Sequence, residues 1–335
     1  MMKQSIKKYF NDACYYLLFA LWWTMSHLPM CVLYLFSDII QFFLYFVIRY
    51  RRKVVRGNLK SAFPDMKPKQ LWLTERRFYL HFCDVFFESF KYFSISQAEM
   101  KRRMSFKGTE MLNESLRNGK SVALFLGHYA NWEWVSSLSL WIDPKYGVAT
   151  QIYHPLENKI FNRLINYTRS RFGGYNIPME QTLRYLLRIR KETGKPVAVG
   201  FIADQVPLYS NIHYWTKFLN HNTAYFTGCE RLSKQLDMDV YYVDVRRVKR
   251  GRYTGELKLM TNNAKQEPDF HLTEMYSREL ERTITSDPPY WFWSHNRWKR
   301  TYEVWVEEMR QKNCMDRVEK LEAWRQSQAN DGNND

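Results

Sequence analysis

The chain has 335 residues, of which 45% are hydrophobic and 17% aromatic. This is enough apolar material for one large α/β domain or two small ones, so the composition excludes a wholly disordered chain. The net charge of +16 at pH 7 indicates an anionic partner. Nucleic acid, an anionic membrane surface, a phosphorylated lipid and an acidic carrier protein all fit that charge, which does not choose among them.

The first feature in chain order is an uncharged aromatic segment. Residues 13–37 run for 25 positions without Asp, Glu, Lys or Arg, and apolar residues resume after Asp38 up to residue 48. This length meets the about 20 residues that a membrane helix needs. The segment is interrupted by His27, Pro29 and Asp38. A membrane-spanning helix is therefore one possibility, and a re-entrant or interfacial hairpin and a buried helical hairpin are the others. We predict a membrane anchor over residues 1–50 rather than a secretory signal peptide, because no small-residue cleavage site follows.

A basic cluster follows the apolar segment directly. Its members are Arg49, Arg51, Arg52, Lys53, Arg56 and Lys60. Basic residues beside a membrane segment mark its cytoplasmic side and can contact anionic headgroups. We therefore expect most of the protein on the cytoplasmic face of the membrane.

The rest of the chain has the pattern of an α/β domain. Residues 65–104 read as helical, and two short apolar strands end near Gly127 and Asp204, with helical sequence at 158–172 and 179–191 between them. Such strands are typical of a buried sheet flanked by helices. We predict a mixed central sheet in a catalytic domain over residues 51–310.

Two features near the end of the chain complete the organisation. The segments DVYYVDVRRV and YTGELKLM alternate with period two around KRGR, which predicts a β-hairpin. Residues 311–335 read as a charged helical tail that becomes disordered in QSQANDGNND.

The five cysteines argue against a disulfide framework or a metal site. They are scattered through the chain without a CxxC pair, at Cys14, Cys31, Cys83, Cys229 and Cys314. We predict reduced packing residues in a reducing compartment. No zinc site is implied, and the sequence contains no glycine-rich phosphate loop of the dinucleotide or P-loop type.

The ends of the two apolar strands are the first candidate site. Ligands in open α/β sheets bind at the carboxyl ends of the strands, where both His128 and Asp204 are expected. If a helix begins near Asn131, Glu133 returns alongside the His128 imidazole and holds one ring nitrogen as a donor, leaving the other free as a base. A His and an acidic residue five positions apart also occur by chance, and Glu133 near a helix N-terminus is the simpler interpretation.

Four stretches in the same order resemble the late lipid A acyltransferase family, of the lauroyl and myristoyl transferase type, within the lysophospholipid acyltransferase-like group. They are RRKVVRGNLKSAFPD, LFLGHYANWEW, GFIADQ and PPYWFWSHNRWK, spread over residues 51–299. The resemblance implies transfer of a fatty acyl chain from an acyl carrier protein thioester to a hydroxyl of a lipid A precursor or similar glycolipid. It also implies an inner-membrane protein with a cytoplasmic catalytic domain, no cofactor and no nucleic-acid partner.

The same resemblance assigns roles to particular residues. His128 becomes the general base and Glu133 the acidic partner of an H-x4-E motif. The candidates for oxyanion or phosphate contacts are Arg169, Arg171, Arg297, Lys299 and Arg300, and the supporting residues are Asn131, Asp204 and Gln205. Trp291, Trp293 and Trp298 could line an acyl channel or the membrane interface, although simple packing is the favoured interpretation. His295 is expected to be structural or a headgroup contact.

Two other functions stay open from the sequence. One is acyl transfer to a lysophospholipid or aminolipid acceptor, because the same motifs serve several acceptors. The other is a noncatalytic protein that binds an anionic membrane or nucleic acid through aromatic and basic residues such as those of YWFWSHNRWKR. A nucleic-acid binder requires neither the apolar N-terminus nor His128 and Glu133.

Overall fold

A computed structural model describes the backbone of residues 2–331 and the side chains of residues 15–327. The helices are α1 (Met2–His27), α2 (Met30–Phe42), α3 (Arg52–Ala62), α4 (Pro68–Tyr92), α5 (Gln97–Arg103), α6 (Thr109–Arg117), α7 (Lys159–Arg169), α8 (Thr182–Thr193), α9 (Gly228–Gln235), α10 (His271–Ser286), α11 (Tyr302–Gln311) and α12 (Asp316–Asp331). The strands are β1 (Met104–Lys107), β2 (Val122–Leu126), β3 (Val148–Tyr153), β4 (Tyr175–Pro178), β5 (Val197–Ile202), β6 (Tyr214–Phe218), β7 (His221–Tyr225), β8 (Asp239–Lys249) and β9 (Arg252–Thr261).

Seven strands form one central sheet in the order β1-β9-β8-β2-β5-β3-β4. All neighbouring pairs are parallel except β8 and β9, which form an antiparallel hairpin. Strand β2 lies in the middle, and all five of its residues are buried, as expected for a strand covered by helices on both faces. The predicted mixed sheet flanked by helices and the predicted hairpin are confirmed.

The sheet also contains strands that local sequence patterns do not predict. Strands β1 and β4 are only four residues long, and β3 is half-buried along most of its length. Short or partly exposed strands lack the continuous apolar run that identifies β2 and β5. A separate two-stranded antiparallel sheet, β6 with β7, was not predicted either.

The N-terminal helices pack against the long helix α4. Helix α2 buries Met30, Leu33 and Ser37 on one face and continues as a π-helix over Phe43–Val47. Among the described residues, Met30–Val47 is the one helical stretch long and apolar enough to cross a membrane, a statement about length and composition only.

At the other end of the chain, helix α12 packs onto the domain through the buried side chain of Leu321. Its backbone is helical as far as Asp331, so residues 326–331 are helical where the sequence predicts disorder. The remaining residues of the predicted disordered end, 332–335, lie outside the described part of the chain.

Candidate active site

Two adjacent parallel strands bring His128 and Asp204 together. In the pairing of β2 with β5, Leu126 lies opposite Ile202. Two residues beyond that pair, the chain places His128 opposite Asp204 at the carboxyl edge of the sheet. This is the edge at which open α/β sheets bind ligands.

Asp204 holds the His128 ring through a short hydrogen bond. His128 Nδ1 lies 2.5 Å from Asp204 Oδ1, and the His128 backbone N–H donates to Oδ2 at 2.8 Å. The Trp291 indole N–H also donates to Oδ2, at 2.8 Å. Burial alone would raise the pKa of Asp204, but the charge of His128 and these donors lower it to about 2. Asp204 is therefore a buried carboxylate, and Nδ1 of His128 carries the proton that it accepts.

The second ring nitrogen of His128 is thereby left as an acceptor. With the proton on Nδ1, Nε2 of a neutral imidazole presents a lone pair. The Gln205 side-chain amide lies on this side, with Nε2 3.3 Å from His128 Nε2. A donor at this position is compatible with an unprotonated Nε2, which is the state required of a general base.

The approach of the two strand ends depends on Gly127. A Cβ at this position would lie 2.6 Å from Leu280 Cδ1 and 3.2 Å from Asp204 Oδ2. A larger residue would push the His128 backbone away from the carboxylate that receives its N–H. The aromatic rings of Trp132 and Phe292 lie beside the imidazole, with centroids 5.3 and 5.9 Å from it, and limit its rotation.

Glu133 has a different partner from the predicted one. Its carboxylate accepts two hydrogen bonds from Arg169, from Nε at 2.9 Å and from Nη2 at 2.6 Å. Burial would raise the pKa of Glu133, but the Arg169 guanidinium lowers it. The turn that follows β2 does return Glu133 to the His128 side of the sheet, yet the carboxylate bonded to the imidazole belongs to Asp204. The predicted contact between Glu133 and the His128 imidazole is thus wrong, because the Glu133 carboxylate is paired with Arg169.

Two cavities meet at the Glu133–Arg169 pair. The larger, of about 850 Å³, is an open cleft lined by His128, Gln205, Arg231 and residues of α7 and α9. The smaller, of about 80 Å³, lies between one face of the adjacent strands β2, β5 and β3 and the segment 134–141, and is lined mainly by apolar side chains. Five residues line both cavities: Trp132, Glu133, Ile152, Arg169 and Ile202. The imidazole therefore faces a wide cleft that continues into a narrow apolar chamber.

The structure places the other predicted residues away from the cleft. The Asn131 side-chain amide is buried and donates to Glu88 at 2.5 Å, while its oxygen accepts from the Trp134 N–H. Arg171 donates to the Tyr92 and Ile95 carbonyls, at 2.9 and 2.6 Å. It therefore ties down the end of α4 and does not line either cavity.

The basic residues of the C-terminal motif PPYWFWSHNRWK, and Arg300 directly after it, also lie outside the cleft. Arg297 is buried, donates to the Ala224 carbonyl at 2.5 Å and packs over the Tyr225 ring. Lys299 is exposed, and Arg300 lies over the Tyr209 ring. None of the three lines the cleft or the chamber described above, so the predicted phosphate contact is corrected most clearly for Arg297, which packing removes from solvent.

Arg171→Ala is expected to lower stability rather than to abolish chemistry. The variant loses hydrogen bonds from a charged donor to two main-chain carbonyls, each worth about 1.5–3 kcal/mol. We expect a lower thermal midpoint with a near-normal rate per folded molecule, measured by calorimetry and by initial rates on one preparation. A normal midpoint with a rate reduced more than a hundredfold would place Arg171 in the chemistry after all.

Two residues of the C-terminal motif support the site: Trp291 through a contact that the sequence did not predict, and His295 in the structural role that was one of its two expectations. Trp291 donates to Asp204, and His295 Nε2 accepts the Val206 N–H at 3.2 Å, which fixes the loop after Gln205. Burial, together with the nearby Arg297 charge, lowers the pKa of His295 to about 4, so it stays a neutral acceptor. Trp293 is buried, and Trp298 donates to Thr223. These three tryptophans thus pack and bond inside the domain.

Among the described residues, no three His, Cys, Asp or Glu side chains are grouped so that they could hold a metal ion. The site consists instead of an oriented imidazole, an ion pair and a cleft joined to an apolar chamber. Such an arrangement can support base-assisted chemistry on a substrate with an apolar chain. Comparison with known families gives the class: the sequence model of the bacterial lipid A biosynthesis acyltransferases matches residues 2–300.

The chain therefore belongs to the bacterial lipid A biosynthesis acyltransferase family, as the sequence resemblance predicts, and is an acyltransferase that acts on a lipid acceptor. No curated protein matches the chain closely enough to refine this assignment.

Proposed function

We propose that the protein transfers a fatty acyl chain from an acyl carrier protein thioester to a hydroxyl of a lipid A precursor. The observation that carries the proposal is the environment of His128. Its Nδ1 is held by a buried carboxylate, and its Nε2 faces a cleft large enough for a lipid headgroup. This arrangement suits a base that receives a proton from a bound hydroxyl.

The reaction follows from this geometry in two steps. His128 Nε2 takes the proton of the acceptor hydroxyl as its oxygen attacks the thioester carbonyl, giving a tetrahedral oxyanion and an imidazolium held by Asp204. The intermediate collapses with cleavage of the carbon–sulfur bond, and the imidazolium returns the proton to the departing thiolate. The products are an acyl ester and a free carrier thiol, and His128 ends neutral.

The oxyanion requires donors that are already in place. We assign this role to Arg169, whose Nε and Nη2 are fixed by Glu133, and to the Gln205 amide beside His128. A fixed guanidinium loses little rotational freedom when it binds the oxyanion. Glu133 is then a positioning residue for Arg169, while Asp204 is the positioning residue for His128.

The narrow chamber is suited to the acyl chain. Its lining includes Leu124, Leu138 and Ile142, and it opens beside Glu133 and Arg169. Apolar walls favour burial of methylene groups, each worth about 0.8 kcal/mol. An acyl chain that enters here places its carbonyl at the junction with the cleft, close to the proposed oxyanion donors. Arg231 and His154 line the cleft and suit phosphates of the acceptor.

Filling the chamber is expected to shorten the accepted acyl chain. Gly200 lines the chamber, and a Cβ there meets only the Thr150 carbonyl oxygen at 3.9 Å, so a side chain can enter the space. We expect Gly200→Leu to lower the rate with long-chain donors at least tenfold while short-chain donors react nearly normally. Gly200→Ala serves as the matched control with little effect. Equal losses at every chain length would contradict this assignment of the chamber.

The division of the chain follows the same proposal. Residues 1–50 form the membrane anchor, residues 51–310 the catalytic domain and residues 311–335 a tail. The apolar Met30–Val47 stretch and the family's pathway support membrane association, and we infer the cytoplasmic face of the inner membrane.

A panel of donors and acceptors tests the function. The purified protein is given acyl carrier protein or coenzyme A thioesters, together with a tetra-acylated lipid A precursor, a lysophospholipid or an aminolipid, and product masses are compared. We expect the fastest product from the carrier-protein donor and the lipid A precursor. Faster reaction of the lysophospholipid would replace the proposed acceptor without changing the reaction class.

A further inference from the structure

We propose that α2 does not cross the membrane but lies flat on an anionic bilayer, and that Phe86 of the catalytic domain enters the lipid beside it. The proposal rests on the membrane association inferred above and not on acyl transfer. It concerns the apolar face of α2 and its π-helical continuation, represented by Leu35, Ile39, Phe42, Phe43, Phe46 and Val47. All six side chains are exposed, with Val47 at 61%.

Three side chains of α2 are bonded to charged groups of the catalytic domain: Tyr34 and Ser37 on the face that packs on α4, and the exposed Asp38 at the edge of the apolar face. Tyr34 Oη donates to Glu88 at 2.8 Å, and Ser37 Oγ donates to Asp84 at 2.7 Å. Asp38 accepts from Arg250 at 2.6 Å, and Arg250 also donates to Asp84. These contacts join α2 to α4 and to the turn of the β8–β9 hairpin.

The packing of α2 on α4 continues toward the C-terminal end of α2. Tyr45 is buried in the π-helical continuation, with its ring 5.2 Å from that of Tyr79, and Arg52 then pairs with Glu75 at 2.9 Å. The two helices thus run antiparallel and side by side. Tyr34 lies beside Glu88 at one end of the contact, and Tyr45 lies beside Tyr79 at the other. If α2 crossed the bilayer, this part of α4, with its buried carboxylates and Arg250, would lie at hydrocarbon depth. Charged groups are strongly disfavoured there, so the geometry favours a helix that lies in the interface.

Phe86 extends this apolar face from the catalytic domain. Its side chain is 55% exposed, and its ring contacts those of Phe87, which stacks with Phe36 of α2, and Phe90, which contacts Trp22 of α1. A large exposed aromatic ring next to two apolar helix faces belongs to a contiguous apolar surface.

The charges at the end of this surface identify the lipid. Arg49 and Lys53 follow the apolar face directly, and both are exposed. Arg76 lies over the Trp72 ring, whose side chain is also exposed. Basic and tryptophan side chains beside an apolar face are typical of helices that lie on anionic bilayers.

Depth measurements on the full chain test the orientation. Single spin labels are placed at Ile39, Val47 or Phe86 in a cysteine-free background, with Val304 of α11 as the matched exposed control, on vesicles of phosphatidylcholine and phosphatidylglycerol. A flat α2 predicts that the first three labels lie within a few ångströms of one depth, about 5–10 Å into the interface, with Val304 in water. A span predicts that Ile39 lies about 12 Å deeper than Val47, and this result would overturn the proposal.

Vesicle binding tests the role of Phe86 and of the charge. We expect Phe86→Asp to weaken partitioning roughly tenfold, as loss of one buried aromatic ring predicts, and Val304→Asp to leave it unchanged. Vesicles without phosphatidylglycerol should bind more weakly. Equal binding by both variants would show that Phe86 is not part of the surface that contacts the membrane. In the depth measurement, labels that all remain in water would refute membrane contact. Neither readout requires acyl donor or acceptor, so failure here is separate from failure of the proposed reaction.

Discussion

His128→Ala is expected to reduce acyl transfer by about 10²–10⁴-fold, with little change in donor or acceptor binding. The variant removes the only group proposed to take the hydroxyl proton, and general base catalysis contributes rate factors of this size. Initial rates at saturating substrate give kcat, and titration of each substrate gives the binding constants. Because His128 is only partly buried, we expect the fold to persist. A variant that keeps more than a tenth of the wild-type kcat would contradict the role of His128.

Asp204→Asn is expected to cost up to about 10⁴-fold in kcat, the scale found when a histidine base loses its orienting carboxylate. An amide can donate to Nδ1, which would move the proton to Nε2 and remove the lone pair that the reaction needs. The companion variant is Glu133→Gln, which keeps the His128–Asp204 pair and disturbs Arg169. Losing one oxyanion donor typically costs about 10²–10³-fold.

The pH dependence separates the two variants even if both are slow. The pKa of Asp204 is about 2, so Asp204 is ionised throughout the working range and does not produce the acid limb of the rate profile. Removing its negative charge destabilises the imidazolium, so the acid limb of Asp204→Asn should move to lower pH. Glu133 is paired with Arg169, and Glu133→Gln should move the limb much less. The larger shift in Glu133→Gln would restore the dyad that the sequence predicts.

The core of the fold could be predicted from the sequence because buried strands have a strong local signal. Strands β2 and β5 are continuous apolar runs, and the β8–β9 hairpin alternates around a turn. Strands β1 and β4 have four residues each and pair only through tertiary contacts. No local pattern marks such strands, so their place at the sheet edges could not be predicted.

For the site, the sequence predicted the right edge of the sheet but the wrong contact. His128 and Asp204 were both expected at strand ends, and pairing β2 with β5 in register would have joined them. The spacing of Glu133 from His128 favoured a local contact instead. In the structure, the Glu133 carboxylate is bound by Arg169 at the end of α7, so it does not contact the imidazole. A partner 36 residues away in sequence leaves no signal in the motif itself.

Two of the predicted phosphate-binding arginines show the same limit. Arg297 and Arg171 suit phosphate contacts by residue type, but packing of Arg297 on Tyr225 and capping of α4 by Arg171 place both outside the cleft. Burial of an arginine is rare enough that composition alone predicts exposure.

The most direct test of the account is the linkage of the acyl chain in the product. Wild-type protein is incubated with an acyl carrier protein thioester and a tetra-acylated lipid A precursor, and the product is analysed by mass before and after mild alkali. We predict a gain of one acyl chain that alkali releases, since an ester forms at a hydroxyl. A gain that resists alkali would contradict acyl transfer to a hydroxyl, and no gain from protein that is folded and bound to vesicles would contradict the lipid A precursor as its acceptor.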